Sequence, residues 1–180
     1  MYADPDPECD DDAAGTARAV AVPVAATAAA FAAYVGLYGA NRYLGYADLL
    51  GPRGELLQFL VIAGVVVAHG AVHAAAYAAL GAGGWRDVSV DVETLPGGLE
   101  PVRIAVVPGA PIRRSAYLAG VAAPAVLLGV APVTWALTSG NPLALFVGAV
   151  GLLVSGADVN EAVDVVRADS SAREREFAPS

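Results

Sequence analysis

Residues 56–80 read LLQFLVIAGVVVAHGAVHAAAYAAL, an apolar run that is long enough to cross a lipid bilayer as one helix. The run contains His69 and His73, which are the only histidines in the chain. Ionisable groups are costly at membrane depth, so histidines in such a run indicate a functional site. Because residues four positions apart lie on one face of a helix, both imidazoles could bind the same divalent metal ion.

The composition is that of a compact membrane protein rather than of a soluble domain. Of the 180 residues, 57% are hydrophobic, and the mean hydropathy is +0.57. All ten basic residues are arginine, and the net charge is −8. Nucleic acid is therefore not an expected partner, because phosphate binding needs basic clusters. The acidic, lysine-free composition suits concentrated salt and favours a halophilic archaeal source, with a GC-rich bacterium as the alternative.

Four apolar stretches predict an all-α integral membrane protein, a bundle of four transmembrane helices. They cover about 17–40, 56–80, 115–137 and 142–159. The acidic residues 1–16 predict a disordered tail, and residues 169–180 predict a polar C-terminal tail. A signal peptide would begin with basic residues, so we expect the first span to be retained. The membrane domain then comprises residues 17–168.

The segment between the second and third spans differs in composition from its surroundings. Val88, Val90 and Val92 alternate with polar residues, and the two-residue period resumes at Val102 after a Pro-Gly-Gly break. This pattern predicts a small β-hairpin. Two roles stay open for it: a connector that folds over the helix ends, and an edge strand that receives an extended peptide.

The arginines predict the orientation, because short cytoplasmic loops collect Arg and Lys. With four spans, eight of the ten arginines fall on the side of the two termini and the hairpin. We therefore expect a multi-pass protein of the cell membrane with both termini and the hairpin in the cytoplasm. The histidines then lie in the inner half of the second span, about 10 to 15 Å from its inner end.

A third candidate ligand lies near the end of the fourth span. Asp158 and Glu161 are one helical turn apart and share a face. Zinc sites of the catalytic kind commonly take three protein ligands, and a carboxylate would complete the two imidazoles. The alternative is that Asp158 only marks the exit from the membrane. In the third span, Pro124 predicts a bend whose freed carbonyl is satisfied by neighbouring groups.

These features together resemble the putative zincin peptidase family, which is similar to the site-2 intramembrane zinc metalloproteases. The resemblance covers roughly residues 17–168. It is carried by four segments in the same order: the helix with His69-Gly70-Ala71-Val72-His73, the exit Ala78-Ala79-Leu80-Gly81 into a strand-bearing loop, the start Arg113-Arg114-Ser115-Ala116-Tyr117 of a helix that contains Ala123-Pro124, and the late Ser155-Gly156-Ala157-Asp158.

The resemblance implies a zinc ion bound by His69, His73 and Asp158. In family members with a complete His-Glu-x-x-His motif, the glutamate activates a water molecule for peptide-bond hydrolysis. Gly70 stands at the glutamate position here. Loss of a general acid-base group costs about 10²- to 10⁴-fold in rate, so we expect a catalytically impaired protein that binds zinc, with loss of the metal as the alternative. We do not expect Glu161, at the membrane edge, to replace the missing base.

The alternative hypothesis is a metal-free membrane scaffold or partner-binding subunit, in which the histidines only join packed helices. Haem is not expected, because two imidazoles on one helix face cannot bind opposite sides of the ring. The expected partners are the lipid bilayer and a membrane-protein or peptide segment.

Overall fold

The structure is a computed structural model that describes residues 7–81, 84–94, 102–108 and 112–176. In chain order the elements are α1 (Pro7–Tyr38), α2 (Ala40–Leu50), α3 (Pro52–Leu80), a 3₁₀ turn (Gly84–Asp87), β1 (Val88–Thr94), β2 (Val102–Pro108), α4 (Arg114–Pro124), a π-helical segment (Ala125–Val130), α5 (Ala131–Ser139), α6 (Pro142–Val154) and α7 (Gly156–Glu176).

Three helical segments in the described part of the chain are long and apolar enough to cross a membrane. They are Ala14–Tyr38, Gly54–Leu80 and Arg114–Ser139. A fourth crossing results if the bent pair Pro142–Val154 and Gly156–Arg167 forms one span. The prediction of a helical, multi-pass membrane protein is confirmed in this form.

The helices around the first loop differ from the prediction. Helix α1 begins at Pro7, so residues 7–16 are helical where we expected disorder. Proline in the first turn followed by acidic residues is a composition that helix N-termini favour. The predicted outer loop contains α2, which is separated from its neighbours by Gly39 and Gly51. Both glycines have positive φ angles, 79° and 52°, which end one helix and redirect the next.

The last apolar stretch is not the single straight helix that the sequence predicts. Its two helices, α6 and α7, meet at Ser155 with a bend of 46°. The Ser155 hydroxyl donates a hydrogen bond to the Gly151 carbonyl at 2.9 Å. Serine bonding of this kind competes with the helix backbone and bends helices. The bend starts a new helix N-terminus within the bundle.

Strands β1 and β2 pair antiparallel, with Val88 opposite Pro108 and Thr94 opposite Val102. Both strands contact α3, which ends just before them. The residues that connect the strands, 95–101, lie outside the described part of the chain. The pair is therefore placed at the same end of α3 as Leu80.

Hydrogen bonds tie α1 and α2 to the C-terminus of α5. Gly140 ends α5 with a φ angle of 68°, and its carbonyl accepts hydrogen bonds from the Tyr34 hydroxyl at 2.7 Å and from Arg42 Nε at 2.8 Å. The Tyr38 hydroxyl donates to the Leu137 carbonyl at 2.8 Å. These donors satisfy carbonyl groups that have no partner within a helix end.

The helices approach most closely where a glycine meets a backbone carbonyl. A methyl group on Gly151 would overlap the carbonyl of Leu128, and one on Gly156 would overlap the carbonyl of Ala19. Each carbonyl precedes a proline by four residues, Pro132 and Pro23, and so lacks its usual helical N–H partner. These glycines therefore fix the distances of α6 and α7 from their neighbours.

We predict that Gly151→Ala lowers the free energy of unfolding by about 1 to 3 kcal/mol, because the backbone it meets cannot yield. The matched control is Gly36→Ala on α1, where an added methyl group meets nothing within 4 Å. This control is expected to raise the free energy of unfolding by about 0.5 to 1 kcal/mol through helix propensity. Denaturant unfolding followed by circular dichroism measures both, and equal stability of the two variants would contradict the packing argument.

Candidate metal centre

Three side chains from two helices converge at one point of the bundle. His69 and His73 lie on α3, and Asp158 lies in the first turn of α7. The Nε2 atom of His73 is 3.2 Å from Asp158 Oδ1, and that of His69 is 3.3 Å from Asp158 Oδ2. The two Nε2 atoms are 3.2 Å apart. The structure thus brings together the three residues that the sequence predicts as ligands.

Local backbone geometry explains how each residue reaches the site. The four-residue spacing on α3 places both imidazoles on one face. The break at Ser155 brings the N-terminus of α7 to the same level, with Asp158 in its first turn. The positive end of the helix dipole there favours a carboxylate. His73 and Asp158 are 9% and 8% exposed, so the centre is shielded from solvent.

A hydrogen bond determines which nitrogen of His73 faces the centre. Its Nδ1 lies 3.1 Å from the carbonyl oxygen of Gly120 on α4. A carbonyl only accepts, so Nδ1 carries the proton, and in the neutral ring Nε2 presents a lone pair to Asp158. Outer hydrogen bonds of this kind orient metal-ligating histidines. His69 Nδ1, also buried, has no hydrogen-bond partner among the described residues.

The arrangement fits a tetrahedral zinc ion. Ligand atoms about 2.0 to 2.1 Å from a zinc ion lie about 3.3 to 3.4 Å from one another at the corners of a tetrahedron. The two Nε2 atoms are 3.2 Å apart, which is close to this spacing, and each of them faces a different oxygen of Asp158, at 3.2 Å for His73 and 3.3 Å for His69. Without a cation, His73 Nε2 and both Asp158 oxygens are acceptors, and only His69 Nε2 could carry a proton. That one N–H could satisfy only one of the short contacts. The donor set, two imidazoles and one carboxylate, leaves a fourth position for water or substrate.

Gly70, between the two histidines, leaves space beside the centre. A Cβ atom built on Gly70 has nothing within 4 Å among the described atoms. The position therefore has room for a larger side chain. No group in this place can accept a proton, because glycine has no side chain.

Glu161 is engaged elsewhere. Its carboxylate accepts a hydrogen bond from the Tyr117 hydroxyl. The Tyr117 ring stacks on Tyr77 with centroids 5.8 Å apart, and Tyr77 stacks on His73 at 6.0 Å. Two ring-to-ring contacts thus lie between Tyr117, whose hydroxyl binds Glu161, and the candidate ligand His73. This contact pattern does not favour Glu161 as a replacement for the missing glutamate.

Sequence reasoning missed Gly120 and Tyr77 as neighbours of the centre. Tyr77 lies four residues after His73 and therefore on the same helix face, a signal that the spacing contained. A methyl group on Gly120 would overlap the Tyr77 ring. Gly120 precedes Pro124 by four residues, so the freed carbonyl was also detectable in the sequence. Which group that carbonyl binds depends on the packing of α4 against α3.

Comparisons with known proteins agree with this geometry. No curated protein and no solved structure gives a significant match to the chain. The profile of a protein family described as "Putative zincin peptidase" matches residues 62–173. The matched region covers more than half of the chain and includes His69, Gly70, His73 and Asp158. The chain therefore belongs to the putative zincin peptidase family.

Proposed function

We propose that this protein is a membrane-embedded metallopeptidase homologue of the site-2 type, which binds zinc through His69, His73 and Asp158 and is catalytically impaired. The observation that supports the proposal is the convergence of the two imidazoles on the Asp158 carboxylate, with each Nε2 within 3.3 Å of one of its oxygens and 3.2 Å from the other Nε2. Membership of a zincin family makes zinc the expected ion. The apolar helix that carries both histidines supports a centre within the membrane.

The residues of the chain account for metal binding but not for proton transfer. Zinc bound at this centre would supply Lewis-acid activation of a water molecule or of a peptide carbonyl. His73 is oriented by Gly120, and Asp158 supplies the negative charge that balances a divalent ion in an apolar surround. Peptide hydrolysis also needs a group that accepts a proton from water and delivers it to the leaving amine. Gly70 occupies the place from which a glutamate would do so.

The proposal also includes the orientation of the protein in the membrane and the kind of partner that it contacts. The arginine distribution supports cytoplasmic termini, with the centre in the inner half of α3 and the strand pair at the inner membrane surface. The bilayer is then the surrounding medium, and a membrane-protein or peptide segment is the partner that the centre would contact. A metal-free scaffold is the competing function, and metal analysis separates the two.

We predict that the purified wild-type protein contains about one zinc ion per chain. This is the stoichiometry expected for a buried centre with three protein ligands and a fourth position open to water. His73→Ala and Asp158→Asn are expected to lose the zinc, because the first removes a ligand nitrogen and the second replaces a charged carboxylate by a neutral amide. The measurement is elemental analysis of protein purified in detergent and dialysed against metal-free buffer.

Glu161→Gln is the matched control for the carboxylate variant, since Glu161 lies one turn further along α7 and binds Tyr117 instead. It is expected to retain zinc at the wild-type level. A wild-type protein without zinc would favour the scaffold function. Equal zinc in wild type and Asp158→Asn would contradict the role of the Asp158 carboxylate in binding the metal.

We further predict that the wild-type protein does not cleave a library of internally quenched peptides above the background rate. Gly70→Glu is expected to raise cleavage by about 10²- to 10⁴-fold over wild type, the range for a general acid-base group. The open space at Gly70 accommodates the new side chain. Fluorescence release in detergent, with and without a chelator, measures the rate.

Gly70→Gln is the control for size without basicity, and it should stay at background. The double variant Gly70→Glu with His73→Ala should also stay at background if the gain depends on the metal. Robust, chelator-sensitive cleavage by the wild-type protein would show that it is not impaired.

A further inference from the structure

Pro124 lies inside the third apolar segment, at the end of α4. In a regular α-helix the N–H of residue 124 would donate to the carbonyl of Gly120. Proline has no N–H, and its ring crowds the carbonyl four residues earlier. The next backbone N–H, of Ala125, donates to the carbonyl of Ala122. The Gly120 carbonyl is therefore available to a donor from another helix.

The donor that it meets is His73. The distance from His73 Nδ1 to the Gly120 oxygen is 3.1 Å, and the hydrogen bond is buried. Residues 73 and 120 belong to α3 and α4, which pack directly against each other. A freed backbone carbonyl of one span thus holds the ring of a candidate metal ligand on another.

Tyr77 adds a second restraint on the same ring. Its ring is nearly parallel to that of His73, with an interplanar angle of 15°. Tyr77 is 3% exposed, and it occupies the space that a side chain on Gly120 would need. One contact fixes the direction of Nδ1–H and the other fixes the plane of the ring, so His73 Nε2 is held towards Asp158.

We propose that Pro124 is a positioning residue of the metal centre, because it frees the Gly120 carbonyl that selects the His73 tautomer and aims Nε2 at the ligand cluster. The inference rests on the proposed zinc-binding function. Two other helix prolines serve as a comparison. The carbonyls four residues before Pro23 and Pro132 lie against Gly156 and Gly151, where they permit close helix packing, whereas the backbone carbonyl that bonds His73 is that of Gly120.

The test is Pro124→Ala, which restores a backbone N–H that competes for the Gly120 carbonyl. We expect zinc affinity to fall by about 10- to 100-fold, the range for loss of an outer hydrogen bond to a ligating histidine. The visible absorption of the cobalt(II)-substituted protein should also change, because it reports ligand geometry. Competition with a chromophoric chelator measures the affinity, and thermal unfolding of the metal-free variant checks that it folds.

Pro132→Ala is the matched control, since it removes a proline from the same apolar segment and restores an N–H opposite the Leu128 carbonyl, which lies against Gly151. It should leave zinc affinity and the cobalt spectrum unchanged. Wild-type affinity and spectrum in Pro124→Ala would overturn the proposal. Equal losses in both proline variants would also overturn it, because they would indicate a general packing effect.

A measurement on the wild-type protein decides the case if Pro124→Ala does not fold. The chain has only two histidines, so ¹⁵N NMR of histidine-labelled protein, with His69→Gln for assignment, identifies the His73 tautomer. A proton on Nδ1 with a hydrogen bond to a carbonyl supports the proposal, and a proton on Nε2 in the metal-free protein overturns it. This result does not require zinc, so it distinguishes failure of the positioning role from failure of the proposed metal binding.

Discussion

The structure depends on a cluster of three electron-rich side-chain groups that are held together in an apolar environment. Two imidazole nitrogens and a carboxylate, from His69, His73 and Asp158, approach to within 3.3 Å. Atoms of this kind repel one another unless a cation or shared protons lie between them. A bundle that buries such a cluster must satisfy it, and two imidazoles with one carboxylate are a donor set that suits a zinc ion. The packing of α3, α4 and α7 serves this requirement.

Departures from regular helix geometry create much of the site. The break at Ser155 provides the helix N-terminus that carries Asp158. Pro124 frees the carbonyl that holds His73, and Gly156 lets α7 approach α1 closely. In a membrane every freed backbone group needs a partner from the protein, because lipid offers none. Irregular backbone and the functional centre therefore coincide in this bundle.

The candidate centre has side chains that could bind a metal ion, but it has no side chain at position 70 that could transfer a proton. All three candidate ligands converge, whereas Gly70 leaves the general-base position without a side chain. The only nearby acid on α7 that the sequence suggested, Glu161, accepts a hydrogen bond from Tyr117. A protein that keeps the ligands without the base can still bind a peptide carbonyl or present a rigid, metal-stabilised surface.

The sequence by itself determined the apolar segments, the shared face of His69 and His73, and the absence of a side chain at Gly70, because each is a property of one helix and its local spacing. It also suggested Asp158 as the third ligand through a family resemblance. Only the tertiary structure decided that Asp158 meets both imidazoles, that the last segment bends at Ser155, and that Gly120 binds His73. These features depend on helix crossing and close packing between segments that are far apart in the chain. Local periodicity carries no information on such distances.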